Sequence, residues 1–294
     1  MAQYIAEREG QLIVSADSMN LYRGMDIGTA KPSRDEREKV DYAGINLAEP
    51  TEKFSVASYL SAVKPAFDAS RETIVVGGTG LYVKCLTEGF DEVPPENTEL
   101  RGELESLDFP ALEQRAQEEA GELYNQLTED DRKNPRRLIR ILERTAAIMA
   151  ATAGQAGSLR YEGLWNSRPK PTIVGLHVER DVLHQRIEKR VEQMYADDLL
   201  DEARGLLKLN LSQTALQAIG YAEAFAVLKN EITLEEAKEQ TVIRTRQLAK
   251  RQMTWFRNQL NVEWIDTAAF KTLENLADAV TKAWKRLGAA PVQF

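Results

Sequence analysis

The stretch QLIVSADS, residues 11–18, passes without polar alternation from a β-branched apolar run into a carboxylate. A run this short and this continuously apolar suits a strand buried on both faces, as in a parallel sheet covered by helices. TIVVGG (73–78), TIVGLHV (172–178) and VEWIDT (262–267) have the same character, and helical patterns fill the spaces between them. The expected class is therefore α/β with a parallel sheet core. Between the second and third runs, residues 107–170 show helical periodicity and no strand-like run, which predicts a helical insertion into a core formed by 1–106 and 171–294. The tail of that insertion, GQAGSLRYEGLWNSRPKP, has Gly, Ser and Pro in loop proportions and is expected to link back to the sheet. Thr233 with Glu236 three residues on predicts a capping box that opens a long helix.

The bulk composition narrows the function. The chain has 294 residues, 43% of them hydrophobic and 29% charged, enough for a sizeable core. No apolar run approaches the roughly 18 residues that a membrane span needs, and no cationic-then-apolar leader opens the chain. A soluble, cytoplasmic protein is expected. The single cysteine, Cys85, excludes an internal disulfide and a Cys-rich zinc site and reads as a small apolar helix residue. Two histidines, His177 and His184, are too few for a multi-histidine centre, so a metal would be held by oxygens.

The net charge of -8 speaks against a nucleic-acid partner, yet two spans are strongly basic. DRKNPRRLIRILER (131–144) carries Arg132, Lys133, Arg136, Arg137, Arg140 and Arg144; RTRQLAKRQMTWFR (244–257) has five basic residues and no acid. Either is compatible with a solvated helix face.

Ligands of open parallel sheets bind outside the carboxyl ends of the strands. Asp17 directly follows the first strand and can act as a base or meet Mg2+ there; an Asp-Ser turn is the alternative. GGTG after TIVV brings Gly77, Gly78 and Gly80, with the Thr79 hydroxyl, to the start of a helix, a backbone suited to an anionic group. A plain tight turn accounts for the same residues.

ADSMNLYRGMDIGTAKP, VVGGTGLYVKCL, NPRRLIRILE, ALQAIGY and TRQLAKRQMTWFR stand in the order and approximate spacing of the tRNA dimethylallyltransferase (tRNA isopentenyltransferase) family, which the sequence resembles from residue 1 to about 267. The resemblance implies transfer of the five-carbon unit of dimethylallyl diphosphate to N6 of the adenosine 3′-adjacent to a tRNA anticodon, with Mg2+ as cofactor and a monomeric enzyme. In that pattern Asp17 matches the general base. Thr79 matches the threonine that hydrogen-bonds the bridging oxygen of the diphosphate. Ser18, Met19 and Asn20 match positions that contact the flipped adenine and its neighbours. Arg101, Arg136, Arg137, Leu138, Ile139 and Arg140 match the stretch that meets the anticodon stem-loop, although helical spacing also lets Ile139 and Leu142 face a core. Gly77, Gly78, Gly80, Arg186 and Arg190 are the expected diphosphate group. Lys31 and Asp26 belong to a family-like loop with substrate-channel or structural duty.

Family members begin with a strand and a P-loop, whose amides and lysine hold the diphosphate. Nowhere in this sequence does Gly-Lys-Ser/Thr follow a glycine-rich turn. MAQYIAEREG resembles the second half of the helix after that loop, so a start about 15–20 residues late by comparison with the strand-loop-helix unit is expected. The fold expected is a P-loop-type core with its first strand and P-loop missing. Two alternatives stay open: a tRNA-binding protein without transferase activity, and an isopentenyltransferase acting on free adenine nucleotide. VDYAGINLAEP, where many members have paired histidines, and Asp198, where glycine is common, are further departures.

Overall fold

The computed structural model describes residues 1–68, 72–89, 97–152 and 170–294 and divides into two compact units, 1–90 with 168–294 and 91–167. The expected linker at 154–171 falls almost wholly outside the described residues.

The first unit begins with α1 (Ala2–Glu9), which stops at Gly10 in the left-handed region and leads at once into β1 (Leu12–Ser15). There follow α2 (Arg34–Lys39), β2 (Tyr42–Ala43), α3 (Val56–Asp68), β3 (Thr73–Val76) and α4 (Gly80–Glu88). All pairings are parallel, with β1 between β2 and β3; Leu12 is opposite Thr73 and Ser15 opposite Val76. β2 lies in VDYAGINLAEP and escapes sequence reading because two residues show no periodicity.

The second unit comprises α5 (Thr98–Glu105), α6 (Phe109–Glu119), α7 (Gly121–Asn125), α8 (Glu129–Arg132) and α9 (Pro135–Thr152). The chain then returns to the first unit through β4 (Thr172–His177), α10 (Arg180–Ala196), α11 (Leu199–Leu206), α12 (Gln213–Leu216), α13 (Tyr221–Leu228), the 26-residue α14 (Leu234–Gln259), β5 (Asn261–Asp266) and α15 (Leu273–Leu287). Thr233 and Glu236 form the expected capping box of α14. None of the described helices is long and apolar enough to cross a membrane.

β4 pairs with β5, so the strands form two parallel sheets rather than one continuous sheet. Both contribute to a single apolar cluster. Ile13 of β1 and Ile74 of β3 meet Ile5 of α1 and Ala277 and Val280 of α15, and Val174 of β4 and Ile265 of β5 pack against the same group. Asp198, at the N-terminal end of α11, has φ 65; an aspartate tolerates this left-handed geometry better than most side-chain-bearing residues, which accounts for a glycine or its stand-in there.

Two sequence expectations are corrected in the second unit. It begins upstream of residue 107, because α5 inserts Leu104, fully buried, among Leu112, Ala116, Leu123, Leu138 and Leu142. Leu138 and Ile139, expected at an RNA surface, are 0% and 6% exposed and belong to this core. Their neighbours Arg136 and Arg137 point to solvent, as the helical period requires of residues on the opposite face. Leu138→Ala should remove a side chain from a filled site and destabilise this unit by about 2–5 kcal/mol, read by chemical denaturation.

Candidate active site

The parallel register of β1 and β3 ends both strands at the same level, so the residues that follow them meet. The Ala16 amide donates to the Val76 carbonyl at 2.7 Å, and the Thr79 amide donates to the Ala16 carbonyl at 3.0 Å. The second bond closes the 77–79 turn over the end of β1. Thr79 then stands at the N-cap of α4, where threonine normally accepts a bond from its own helix. It makes no such bond. Its Oγ1 accepts from the Ser18 amide at 2.9 Å and donates to Ser18 Oγ at 3.2 Å, turning the hydroxyl toward the segment that carries Asp17.

Asp17 is half-buried. Its Oδ1 accepts from the amides of Met19 at 2.8 Å and Asn20 at 3.4 Å, an Asx-type turn that orients the carboxylate. Among the described residues no hydrogen bond reaches Oδ2. Asn20 Oδ1 is buried and has no hydrogen-bond partner among the described residues; a buried acceptor in that condition is costly unless something else supplies a donor. Asp17, Ser18, Thr79 and Asn20 are thus linked by one set of hydrogen bonds.

Arg190 of α10 joins them electrostatically. It is exposed by surface area, yet the protein packed around its guanidinium lowers its pKa below the ordinary value, and the Asp17 carboxylate opposes that shift. Arg186, one turn earlier, is exposed. The glycines of GGTG meet a steric demand in addition to whatever their amides do. A Cβ on Gly77 would lie 2.2 Å from the Ala16 carbonyl oxygen, on Gly78 2.3 Å from Gln252 Nε2, and on Gly80 2.0 Å from the Trp255 ring. Gln252 and Trp255 of α14 are therefore part of the wall, and the basic span 244–257 is here a packing helix as well. Sequence reading gives Trp255 a packing role but leaves Gln252 unnoticed, since nothing local marks which face of α14 meets the turn.

Lys31 has a structural duty. Its ammonium is fully buried and donates to the Tyr22 carbonyl at 2.6 Å, Asp26 Oδ1 at 2.5 Å and Asn46 Oδ1 at 2.8 Å. Desolvation lowers its pKa, and the Asp26 bond works against that. Cys85 is buried in α4 with its thiol pushed up to about 12 by burial, which leaves it inert at neutral pH.

The arginines of the second unit form their own group. Arg101 and Arg140 both donate to Oε2 of Glu143, at 2.7 and 2.8 Å, and Glu143 is 4% exposed. Arg137 lies 3.4 Å from Asp131, while Arg136 is exposed. One buried carboxylate thus aligns two guanidinium groups whose sequence separation hides their partnership.

An α/β fold that carries a carboxylate and, bonded to the next residue, a hydroxyl at the ends of adjacent parallel strands, with an arginine in the field of that carboxylate, has the parts of a transferase site. The chain belongs to the IPP transferase family, whose model matches residues 20–259. It is 36% identical over 278 residues to the tRNA dimethylallyltransferase of Geobacter metallireducens, covering 90% of this chain and 87% of that protein. With the enzyme of the same name from Geobacillus thermodenitrificans it shares 38% over 282 residues, covering 89% and 84%. The full-length tRNA isopentenylpyrophosphate transferase of Bacillus halodurans, 33% identical, superposes with a TM-score of 0.66 over 97% of this chain and 91% of that one. A eukaryotic dimethylallyltransferase acting on tRNA shares the fold at 20% identity, with a TM-score of 0.76 over 98% and 76%.

Gly80→Ala should force Trp255 off the turn and cost about 1–3 kcal/mol, visible as a shifted tryptophan emission and a lower denaturation midpoint.

Proposed function

We propose that this chain transfers the dimethylallyl group of dimethylallyl diphosphate to N6 of the adenosine 3′-adjacent to the anticodon of tRNA. The observation that carries the reading is the Asp17–Ser18–Thr79 junction at the strand ends, in a chain of the IPP transferase family whose relatives are named tRNA dimethylallyltransferases.

In the reaction the allylic carbon–oxygen bond of the donor breaks, a carbon–nitrogen bond to N6 forms, and one proton leaves the amine. An aryl amine is a weak nucleophile, so orientation and proton removal are the protein's work. Asp17 has one oxygen held by two amides and Oδ2 free among the described residues to take the proton. The buried, unpaired Oδ1 of Asn20 suits the amino group of the flipped adenine. The Thr79 hydroxyl, its oxygen held by the Ser18 amide, can swing its proton from Ser18 Oγ to the bridging oxygen as charge builds there. The departing diphosphate falls to Arg190, the 77–80 turn and, at longer reach, Arg186.

A Mg2+ would supply charge neutralisation on the leaving diphosphate. Among the described residues no group of three His, Cys, Asp or Glu could hold it alone. An ion carried chiefly by the donor's own phosphate oxygens would fit these residues, since the free oxygen of Asp17 is needed for the proton. For the RNA, Arg136 and Arg137, with Arg101 and Arg140 aligned on Glu143, suit the phosphates of an anticodon stem-loop. Leu138 and Ile139 hold that helix to its core. We take the enzyme to be a cytoplasmic monomer.

Asp17→Ala should lower transfer of labelled dimethylallyl diphosphate to unmodified tRNA by about 10²–10⁴-fold, the usual worth of a general base, with tRNA affinity unchanged. An equal loss of tRNA affinity would make Asp17 a recognition residue instead. Replacing Arg136 and Arg137 by alanine should weaken tRNA binding and reduce its logarithmic salt dependence by about one per lost phosphate contact. An unchanged slope would remove these arginines from the interface.

A further inference from the structure

The transfer chemistry leaves one polar cluster of the first unit without a task. Glu202 of α11 accepts from the Asp26 amide at 3.0 Å and from the Ile27 amide at 3.1 Å. Tyr221 of α13, fully buried, donates its hydroxyl to Glu202 and accepts from the Gly28 amide at 3.2 Å. Three consecutive amides of the 26–28 turn are therefore taken up by one carboxylate and the hydroxyl attached to it. A run of amides of this kind is an anion-binding concavity; here the protein fills it with its own side chain. Gly28 is part of the fit, since a Cβ there would lie 2.4 Å from the Tyr221 ring.

From that turn an unbroken series of hydrogen bonds runs to the reacting carboxylate. Asp26 bonds Lys31, and the Lys31 ammonium also holds the Tyr22 carbonyl and the side chain of Asn46. The Asn46 amide donates to the Asn20 carbonyl at 3.2 Å, and the Leu47 amide to the Leu21 carbonyl at 2.7 Å. Asn20 and Met19 in turn supply the amides that orient Asp17 Oδ1. Residues 17–31 are thus gripped at one end by the β1–β3 junction and at the other by Glu202. Two members, the Lys31 ammonium and Tyr221, are fully buried, so each would lose its partners at a high cost, and the half-buried residues between them are held by these two.

We infer that Glu202, with Tyr221, is a positioning residue that sets the orientation of the Asp17 carboxylate through the 22–31 loop. It touches no substrate; it acts by denying the loop any other arrangement. The inference rests on the role proposed for Asp17, but the bond series itself can be tested without catalysis.

The full-length chain and its Glu202→Gln and Tyr221→Phe variants would be compared by amide hydrogen exchange resolved to single residues, and by steady-state transfer to tRNA. Tyr221→Phe removes only the hydroxyl and guards against a Glu202→Gln protein that does not fold. In both variants the amides of residues 26–28 should exchange faster. The diagnostic result is that Met19 and Asn20 also exchange about ten-fold faster, while β1 and α14 keep their protection. In the transfer assay kcat should fall about ten-fold or more with KM for tRNA unchanged, a split that a purely structural clamp would not produce. Exchange confined to residues 26–28, or kcat that falls only with the folded fraction, overturns the inference. If the unaltered chain transfers nothing, the proposed reaction fails, and the Met19 and Asn20 exchange alone then decides whether Glu202 orients Asp17.

Discussion

The bond from the Thr79 amide to the Ala16 carbonyl ties the turn after β3 across the end of β1. It exists because the two strands are parallel and in a register that ends them together, Ser15 against Val76. Once that bond is made, Thr79 can reach Ser18, the residue after Asp17, with a hydroxyl that its own helix does not use. The glycines follow from the same closure: the Ala16 backbone leaves no room for a side chain at Gly77 and the Trp255 ring of α14 none at Gly80, while Gln252 would have to turn aside for one at Gly78. Local backbone, helix packing and chemistry are one arrangement here, since moving the turn by a single Cβ would disturb all three.

The electrostatics work at close range. A net charge of -8 repels RNA at a distance. The arginines that counter it are locally organised, two of them on the buried carboxylate of Glu143 and Arg190 beside Asp17. A buried carboxylate between two guanidinium groups restrains both of them. The same device appears inverted at Lys31, where a buried ammonium organises oxygen atoms. In each case a single desolvated charge holds several partners in place.

Much of the fold is legible from short-range pattern. The four β-branched runs are β1, β3, β4 and β5, Thr233 and Glu236 do cap α14, and the segments that follow β1 and β3 are joined by the Ser18–Thr79 bonds. These succeed because hydrophobic period, capping and strand-end chemistry are encoded within a few residues. β2 is illegible because two residues carry no period, and the early start of the helical unit is hidden because Leu104 is informative only once Leu112 and Leu138 are seen around it. Leu138 and Ile139 read as site residues because they sit inside an arginine-rich motif, yet the helical turn sends them to the core.

The sequence by itself determined the α/β class, the separate helical unit, and the order Asp17, Ser18, Thr79 at two strand ends, since each depends on neighbours along the chain. Only the tertiary structure decided that the strands form two sheets, that Gln252 and Trp255 wall the turn, that Glu143 aligns Arg101 with Arg140, and that Glu202 and Tyr221 grip the loop after Asp17. The physical reason is range: a period or a cap is written into consecutive residues, whereas a hydrogen bond between residues 26 and 202 depends on how the whole unit closes.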